Sequence, residues 1–208
     1  MEPIDPEASV RLQTELISGE TILWAGKPNP RVIFHSDDWY IVPFSLLWGG
    51  FAIFWESMVL GIWGHTSKSS PPLFMVFWGI PFIVIGQYMI WGRFLYDAWI
   101  KRRTFYGITN RRVIVVQEGW GRKTSSMYID AIPSVQRDGS AIGTLWFGTK
   151  YPFFAGRGQR TRNMSRYHVG SVPIFADIDH IEGVYRLVLD LREKTRSDNG
   201  DRVGIFRS

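Results

Sequence analysis

The sequence contains no cysteine among its 208 residues. A disulfide framework, a Cys-ligated zinc or iron–sulfur site and a thiol nucleophile are thereby excluded, while the redox compartment stays open. Histidine is scarce as well. His35, His65, His168 and His180 show neither i,i+4 nor HExxH spacing, so no metal site and no His-based catalytic site is expected. A nucleotide loop is also lacking: Gly156-Arg-Gly158 has no third glycine and no Gly-Lys-Ser/Thr element after it. No cofactor is expected.

Charge is missing from two long stretches. Residues 40–63 hold one charged side chain, Glu56, and residues 72–91 hold none. As helices they measure roughly 36 and 30 Å against a hydrocarbon core of about 30 Å, so each is expected to span a bilayer. Buried helices of a soluble core would be shorter or carry a polar stripe. The connection GHTSKSSP, residues 64–71, is short and polar and suits an antiparallel hairpin. The whole-chain averages, 45% hydrophobic and a net charge of +5, conceal this segregation. Seven of the ten tryptophans fall between Trp39 and Trp99, which marks the same region.

Amphipathic rings favour the headgroup level, so Trp39, Tyr40, Trp63, Trp91 and Trp99 are expected interface anchors at the span ends. Orientation follows from the flanking cations. Lys68 is the single cation of the connection, whereas Lys27 and Arg31 precede the first span and Arg93, Lys101, Arg102, Arg103, Arg111 and Arg112 follow the second. The positive-inside rule then puts both termini in the cytoplasm, with the chain a multi-pass inner-membrane protein. The acidic N-terminal stretch lacks an apolar core, so no cleaved signal peptide is expected and Asn163-Met-Ser165 is a chance glycosylation match.

Outside the hairpin the pattern is mainly strand. Seven short runs are expected: 21–25, 105–108, 113–116, 124–129, 134–138, 144–147 and 172–175, separated by Gly, Pro or Ser. Thr109-Asn-Arg-Arg112 reads as a hairpin turn in which Asn110 takes the left-handed conformation. A helix closes the chain, with Asp179-His-Ile-Glu182 as a capping box and Ile181, Val184, Tyr185, Val188 and Leu191 at helical spacing. The division is then an N-terminal segment 1–15, a first domain part 16–35, the hairpin region 38–92, the domain remainder 101–195 and a flexible tail 196–208.

An ordered set of residues carries a resemblance: Leu16-Ile-Ser-Gly-Glu20 with Ile22-Leu-Trp24 and Gly26-Lys-Pro28, then Tyr106-Gly-Ile-Thr-Asn-Arg-Arg112, then Gly143-Thr-Leu-Trp-Phe147, and the terminal helix. In this order the chain resembles the bacterial pleckstrin-homology (PH) domain membrane proteins over most of residues 16–195. The resemblance implies an α+β fold: a seven-stranded PH-like barrel or sandwich with a C-terminal helix, interrupted after its first strand by the transmembrane hairpin. Residues 148–171 depart from it, being longer than the short connection expected there.

Carboxylates are absent between residues 140 and 176, where five cations lie: Lys150, Arg157, Arg160, Arg162 and Arg166. Tyr151, Phe153, Phe154 and Tyr167 are interspersed, a mixture suited to an anionic membrane surface, where each basic residue contributes about 1 kcal/mol. Lys101, Arg102 and Arg103, with Arg157, Arg160, Arg162 and Arg166, are the headgroup candidates. Arg111, Arg112, Arg122 and Lys123 lie near turns and extend the set. The flank also serves as a topology determinant, and the Arg-rich loop also reads as a solvated insertion. Nucleic acid is not an expected partner, since no reading motif is present.

Glu56 is the single intramembrane carboxylate, costly in hydrocarbon and usually turned to a partner or cavity. It could shift its proton, snorkel, or mark the end of a shorter 38–55 span. Gln87 lies near the opposite interface and is a poor partner. The functional expectation is a non-enzymatic membrane protein whose cytoplasmic domain scaffolds a protein partner or another copy of itself. Anionic-lipid recognition is the alternative, and an oligomeric transport component using Glu56 a third reading.

Overall fold

The structure is a computed structural model that describes residues 4–32, 38–60, 73–148 and 172–205, without the side chains of residues 38 and 198–205. It is α+β, with two antiparallel sheets and two helices long and apolar enough to cross a membrane. The chain divides into a sheet-containing unit, residues 1–31 with 99–208, and a helical unit, residues 32–98.

The sheet unit begins with a helix absent from the sequence reading. In α1 (Pro6–Gln13), the Asp5 carboxylate accepts from the Ala8 amide at 2.9 Å and proline occupies the first turn. Strand β1 (Ile22–Gly26) precedes the hairpin; β2 (Thr104–Thr109), β3 (Arg112–Glu118) and β4 (Arg122–Tyr128) follow it, and the four pair in that order as an antiparallel meander. Strands β5 (Gln136–Gly139), β6 (Ile142–Trp146) and β7 (Ile174–Asp179) form the second sheet. All seven expected strands are present, each shifted by a few residues at most. Among the described residues the two sheets remain separate, without closure into a barrel.

Alternation along β2 and β3 explains their burial on both faces. Tyr106, Ile108, Val113 and Val115 join Leu145, Phe147, Phe175 and Ile178 of the second sheet region in the main core. The intervening Phe105, Ile114 and Val116 pack with Ala8 and Leu12 of α1. Gly107 permits that approach, because a Cβ there would lie 2.7 Å from Leu12 Cδ1. The centre is aromatic. Phe175 stacks on Tyr106 at 4.8 Å, meets Phe147 edge-on at 4.8 Å and lies 5.7 Å from Trp24. Burial pushes the Tyr106 phenol up, so it stays neutral while its oxygen accepts from the Ala176 amide at 3.1 Å.

Helix α5 (Ile181–Ile205) buries Ile181, Val184 and Val188, with Tyr185 and Leu191 packed beside them, as its spacing predicts. Three local expectations are corrected. Asp179 is the last residue of β7 and accepts from Asn29 Nδ2 at 2.7 Å, while Glu182 pairs with Arg137 and Arg186, so no capping box forms. Asn110 is not left-handed: Thr109 Oγ1 accepts from the Arg111 and Arg112 amides and stabilises the turn without a positive φ. The segment read as a tail from residue 196 is helical as far as Ile205.

In the helical unit, α2 (Asp38–Val59) is paired with α3 (Leu73–Gln87). A widened π turn, Tyr88–Gly92, carries α3 into α4 (Arg93–Lys101), so the second membrane-length helix runs unbroken from Leu73 to Lys101 rather than ending at residue 91. Its Arg93 amide donates to Tyr88 O, and Gly92 makes room for the Tyr88 ring, which a Cβ would meet at 2.6 Å. Residues 61–63 of the expected first span lie outside the described residues.

Candidate functional site

Small residues form the seam between α2 and α3. Ser45, Gly49, Ala52 and Glu56 are buried at spacings of four, three and four on α2, facing Gly79 and Gly86, seven apart on α3. A Cβ at Gly86 would stand 2.9 Å from the Gly49 Cα, so the backbones meet there directly. Glu56 fills the matching notch. A Cβ at Gly79 would lie 1.6 Å from its Oε2, and that oxygen is buried without a hydrogen bond among the described residues. The carboxyl therefore neither snorkels nor ends the span: α2 continues to Val59 and the side chain turns into the seam, with only 6% of the residue exposed. Gln87 is exposed.

At the other end of the second helix, the sheet unit begins within the last turn. Ile100 and Lys101 are buried, and two residues, Arg102 and Arg103, separate α4 from β2. Lys101 Nζ lies 2.9 Å from Asp177 Oδ2, both side chains being under a tenth exposed, and donates to Asn29 O at 3.4 Å. That pairing corrects its assignment to a headgroup site: a buried, neutralised lysine cannot reach lipid. Asp177 has a left-handed backbone, φ 52°, as does His180, φ 53°, at the start of α5. Its carbonyl accepts from the Asn29 amide at 2.7 Å. Arg102 and Arg103 are exposed, and the Arg103 guanidinium stands 4.8 Å over the Trp99 ring.

A polar cavity of about 730 Å³ opens beside this pair, lined among others by Lys27, Asn29, Lys101, Arg102, Asp179 and His180. Its groups neutralise one another. Lys27 pairs with Glu7 and lies 3.8 Å from Asp5, and Asn29 bonds Asp179. The cavity offers mixed charge at its rim. Among the described residues no three His, Asp or Glu side chains gather to hold a metal.

A second polar constellation joins the two halves of the sheet unit. Arg112 Nε donates to Glu20 Oε1 at 3.0 Å and Nη2 to Oε2 at 3.1 Å, while the Thr109 hydroxyl adds a bond to Oε1 at 2.7 Å. Burial by itself would raise the Glu20 carboxyl; the bonds from Arg112, the Ile17 amide and Thr109 outweigh it and hold the group below the usual glutamate range. Beside it, Asn110 Oδ1 accepts from the Thr21 amide at 3.1 Å. Arg112 is therefore committed internally and does not extend a lipid patch, whereas Arg122 stays exposed while lying 2.8 Å from Glu15 and 3.6 Å from Glu118. Arg111 and Lys123 remain exposed.

Of the expected interface anchors, Trp39, Tyr40 and Trp91 are exposed at 77%, 49% and 66%, and Trp99 is half-buried. Trp63 and the arginines Arg157, Arg160, Arg162 and Arg166 lie outside the described residues. Sequence reasoning missed α1, whose Asp-Pro start was a legible signal, and Asp177, for which no local signal exists. It also passed over Trp120, which is 93% exposed between Gly119 and Gly121.

Compared with known proteins, the chain matches no family model, no curated protein and no solved structure.

Proposed function

We propose that the chain is a non-enzymatic integral membrane protein whose hairpin holds a PH-like domain at the cytoplasmic face of an inner membrane, where the domain scaffolds a protein partner or another copy of itself. One observation carries the reading: the hairpin is inserted between two strands that pair with each other, β1 and β2, with Ala25 opposite Gly107 and Gly26 opposite Tyr106. Both ends of a two-span hairpin thus run into one sheet, and an even number of crossings returns the chain to the side it left. Two residues, Arg102 and Arg103, separate the second helix from β2, so the connection from span to domain is short. The bacterial PH-domain family is the resemblance that supports scaffolding, since a fold of this kind hosts many binding roles.

Crosslinking in native membranes, followed by purification in mild detergent, tests it. A reproducible complex containing the chain is expected; a monomer alone would overturn the scaffold reading. Labelling of Ser69→Cys in this Cys-free chain tests orientation, with access expected only from the side opposite the domain.

Anionic-lipid recognition is the second reading, favoured by the exposed Arg102 and Arg103 at the helix end and by the carboxylate-free run of cations from Lys150 to Arg166. Replacing Arg157, Arg160, Arg162 and Arg166 with Gln is expected to reduce protease protection of that loop in anionic vesicles. Unchanged protection would remove it.

A further inference from the structure

Among the described residues of the sheet unit, Trp120 is the most exposed large apolar side chain, at 93%; the next, Val10, stands at 61%. An indole in water at the tip of a tight strand connection is unfavourable for the folded domain by itself. Its surroundings are specific. The Trp120 ring lies 6.2 Å from Trp99, over which the Arg103 guanidinium stands at 4.8 Å. The turn is held against the helix end: the Glu118 amide donates to Arg103 O at 2.7 Å, and the Gly119 amide donates to Gly121 O at 3.2 Å. Gly119 lets the turn lie close, since a Cβ there would meet Ile100 Cδ1 at 3.3 Å and the Trp99 ring at 3.6 Å.

The depth of this patch follows from the helix that ends in it. Leu73–Lys101 contains 29 residues. At 1.5 Å per residue it is about 43 Å long, the thickness of a bilayer with both headgroup layers (40–45 Å) rather than of the hydrocarbon alone (about 30 Å). Trp99 follows Trp91, the last residue of the charge-free run, by eight positions, and Arg102 and Arg103 come next where the chain leaves the bilayer. Charge agrees with that placement. Arg102 and Arg103 are exposed, and the β3–β4 register sets exposed Lys123 opposite Gln117, on one face of the sheet. Glu118, the one acid of the turn, is neutralised by Arg11 at 3.2 Å and Arg122 at 3.6 Å.

We infer that the β3–β4 turn is a second membrane contact, in which Trp120 enters the headgroup layer beside Trp99 while Arg102, Arg103 and Lys123 meet anionic headgroups. The occupant of the exposed indole face is the lipid bilayer. The inference rests on the hairpin crossing the membrane as proposed above, and it adds that the sheet unit touches the membrane through its own residues. Tryptophan suits this task because its ring is apolar while its N–H finds a partner at the interface.

A probe beside the indole tests it. In the full chain reconstituted in vesicles of phosphatidylcholine and phosphatidylglycerol in equal parts, Gly121→Cys carries an environment-sensitive fluorophore; a Cβ at Gly121 meets nothing within 4 Å. Asp190→Cys, on the exposed side of α5, is the reference. Lipids with a nitroxide at the top of the acyl chain are expected to quench the probe at 121 by about twofold more than at 190, consistent with interfacial depth. Trp120→Ala in the Gly121→Cys background is expected to bring quenching down to the reference with unchanged thermal unfolding, since the indole contributes little to the domain interior. Equal quenching at 121 and 190 would overturn the inference. So would shielding of the probe from iodide without lipid quenching, because a protein neighbour would then cover the indole. Alkaline carbonate extraction separates the two failures: a chain that extracts refutes the hairpin as well, whereas a retained chain with a water-exposed probe refutes only the Trp120 contact.

Discussion

The guanidinium of Arg112 grips the carboxylate of Glu20 through two bonds, at 3.0 and 3.1 Å, across 92 residues of chain and from opposite sides of the hairpin. Thr109 supplies a third bond to the same carboxylate, and Asn110 binds the adjoining Thr21 amide. The turn Thr109-Asn-Arg-Arg112 thus serves as a clasp that closes the sheet over the insertion. Removing Arg112 leaves the buried Glu20 carboxylate without its guanidinium. Arg112→Met is expected to destabilise the sheet unit by about 3 kcal/mol, whereas replacing both Glu20 and Arg112 with apolar residues of similar size is expected to cost much less. Denaturant unfolding of the single and double variants checks this, and additive losses would refute the clasp.

The same carboxylate sets an acid-side limit. Glu20 titrates lower in the folded chain than in the unfolded one, so its contribution is complete above the unfolded value of about 4.3 and is lost as pH falls through the lower folded value. Stability is expected to decline with acid more steeply in the parent than in Glu20→Gln. Unfolding free energy measured across this range would show equal slopes if Glu20 were not held charged.

Gly79 and Glu56 form a coupled pair in the helix seam. Gly79→Ala is expected to weaken the hairpin by about 1 kcal/mol, because the new methyl must displace the carboxyl from its notch, and to be nearly neutral when Glu56 is already Ala. Gly86→Leu is expected to be harmful in both backgrounds, since it meets the Gly49 backbone rather than a movable side chain. Steric-trap or detergent-unfolding measurements in bilayer mimics distinguish the two. Equal effects of Gly79→Ala with and without Glu56 would show that the carboxyl lies elsewhere.

Lys101 and Arg103, two residues apart, are expected to fail differently. Lys101→Ala removes the lysine paired with buried Asp177 and lowers domain stability by about 3 kcal/mol, with little change in the salt dependence of headgroup contact. Arg103→Gln leaves stability within about 0.5 kcal/mol and weakens the contact of the β3–β4 turn with anionic vesicles. Thermal unfolding paired with lipid quenching at position 121 checks both; a reversed pattern would contradict the burial of Lys101.

Local pattern accounted for much of the fold. Strand β3, a Val-Ile-Val-Val run, and the i,i+3,i+4 spacing of Ile181, Val184 and Val188 are written in neighbouring residues, and both elements form where their pattern lies. Helix α1 was missed despite its Asp-Pro start, because its few apolar positions, Ala8 and Leu12, acquire meaning against Phe105, Ile114 and Val116, which the fold brings to them. Asn110 was misassigned because Thr109 offered the turn a competing set of hydrogen bonds. In the candidate site, the positions of the cations were legible but not their availability: Lys101, Arg112 and Arg122 find carboxylates brought from distant segments.

By itself the sequence determined the two membrane-length helices, the seven strands and the closing helix, because apolar length and periodicity act through neighbours along the chain. Tertiary structure alone decided that Glu56 faces Gly79, that Lys101 is spent on Asp177 while Arg103 stays exposed over Trp99, and that Trp120 stands beside Trp99. Those relationships join residues far apart in the chain, and burial and pairing are properties of what the fold brings to a side chain rather than of the side chain alone.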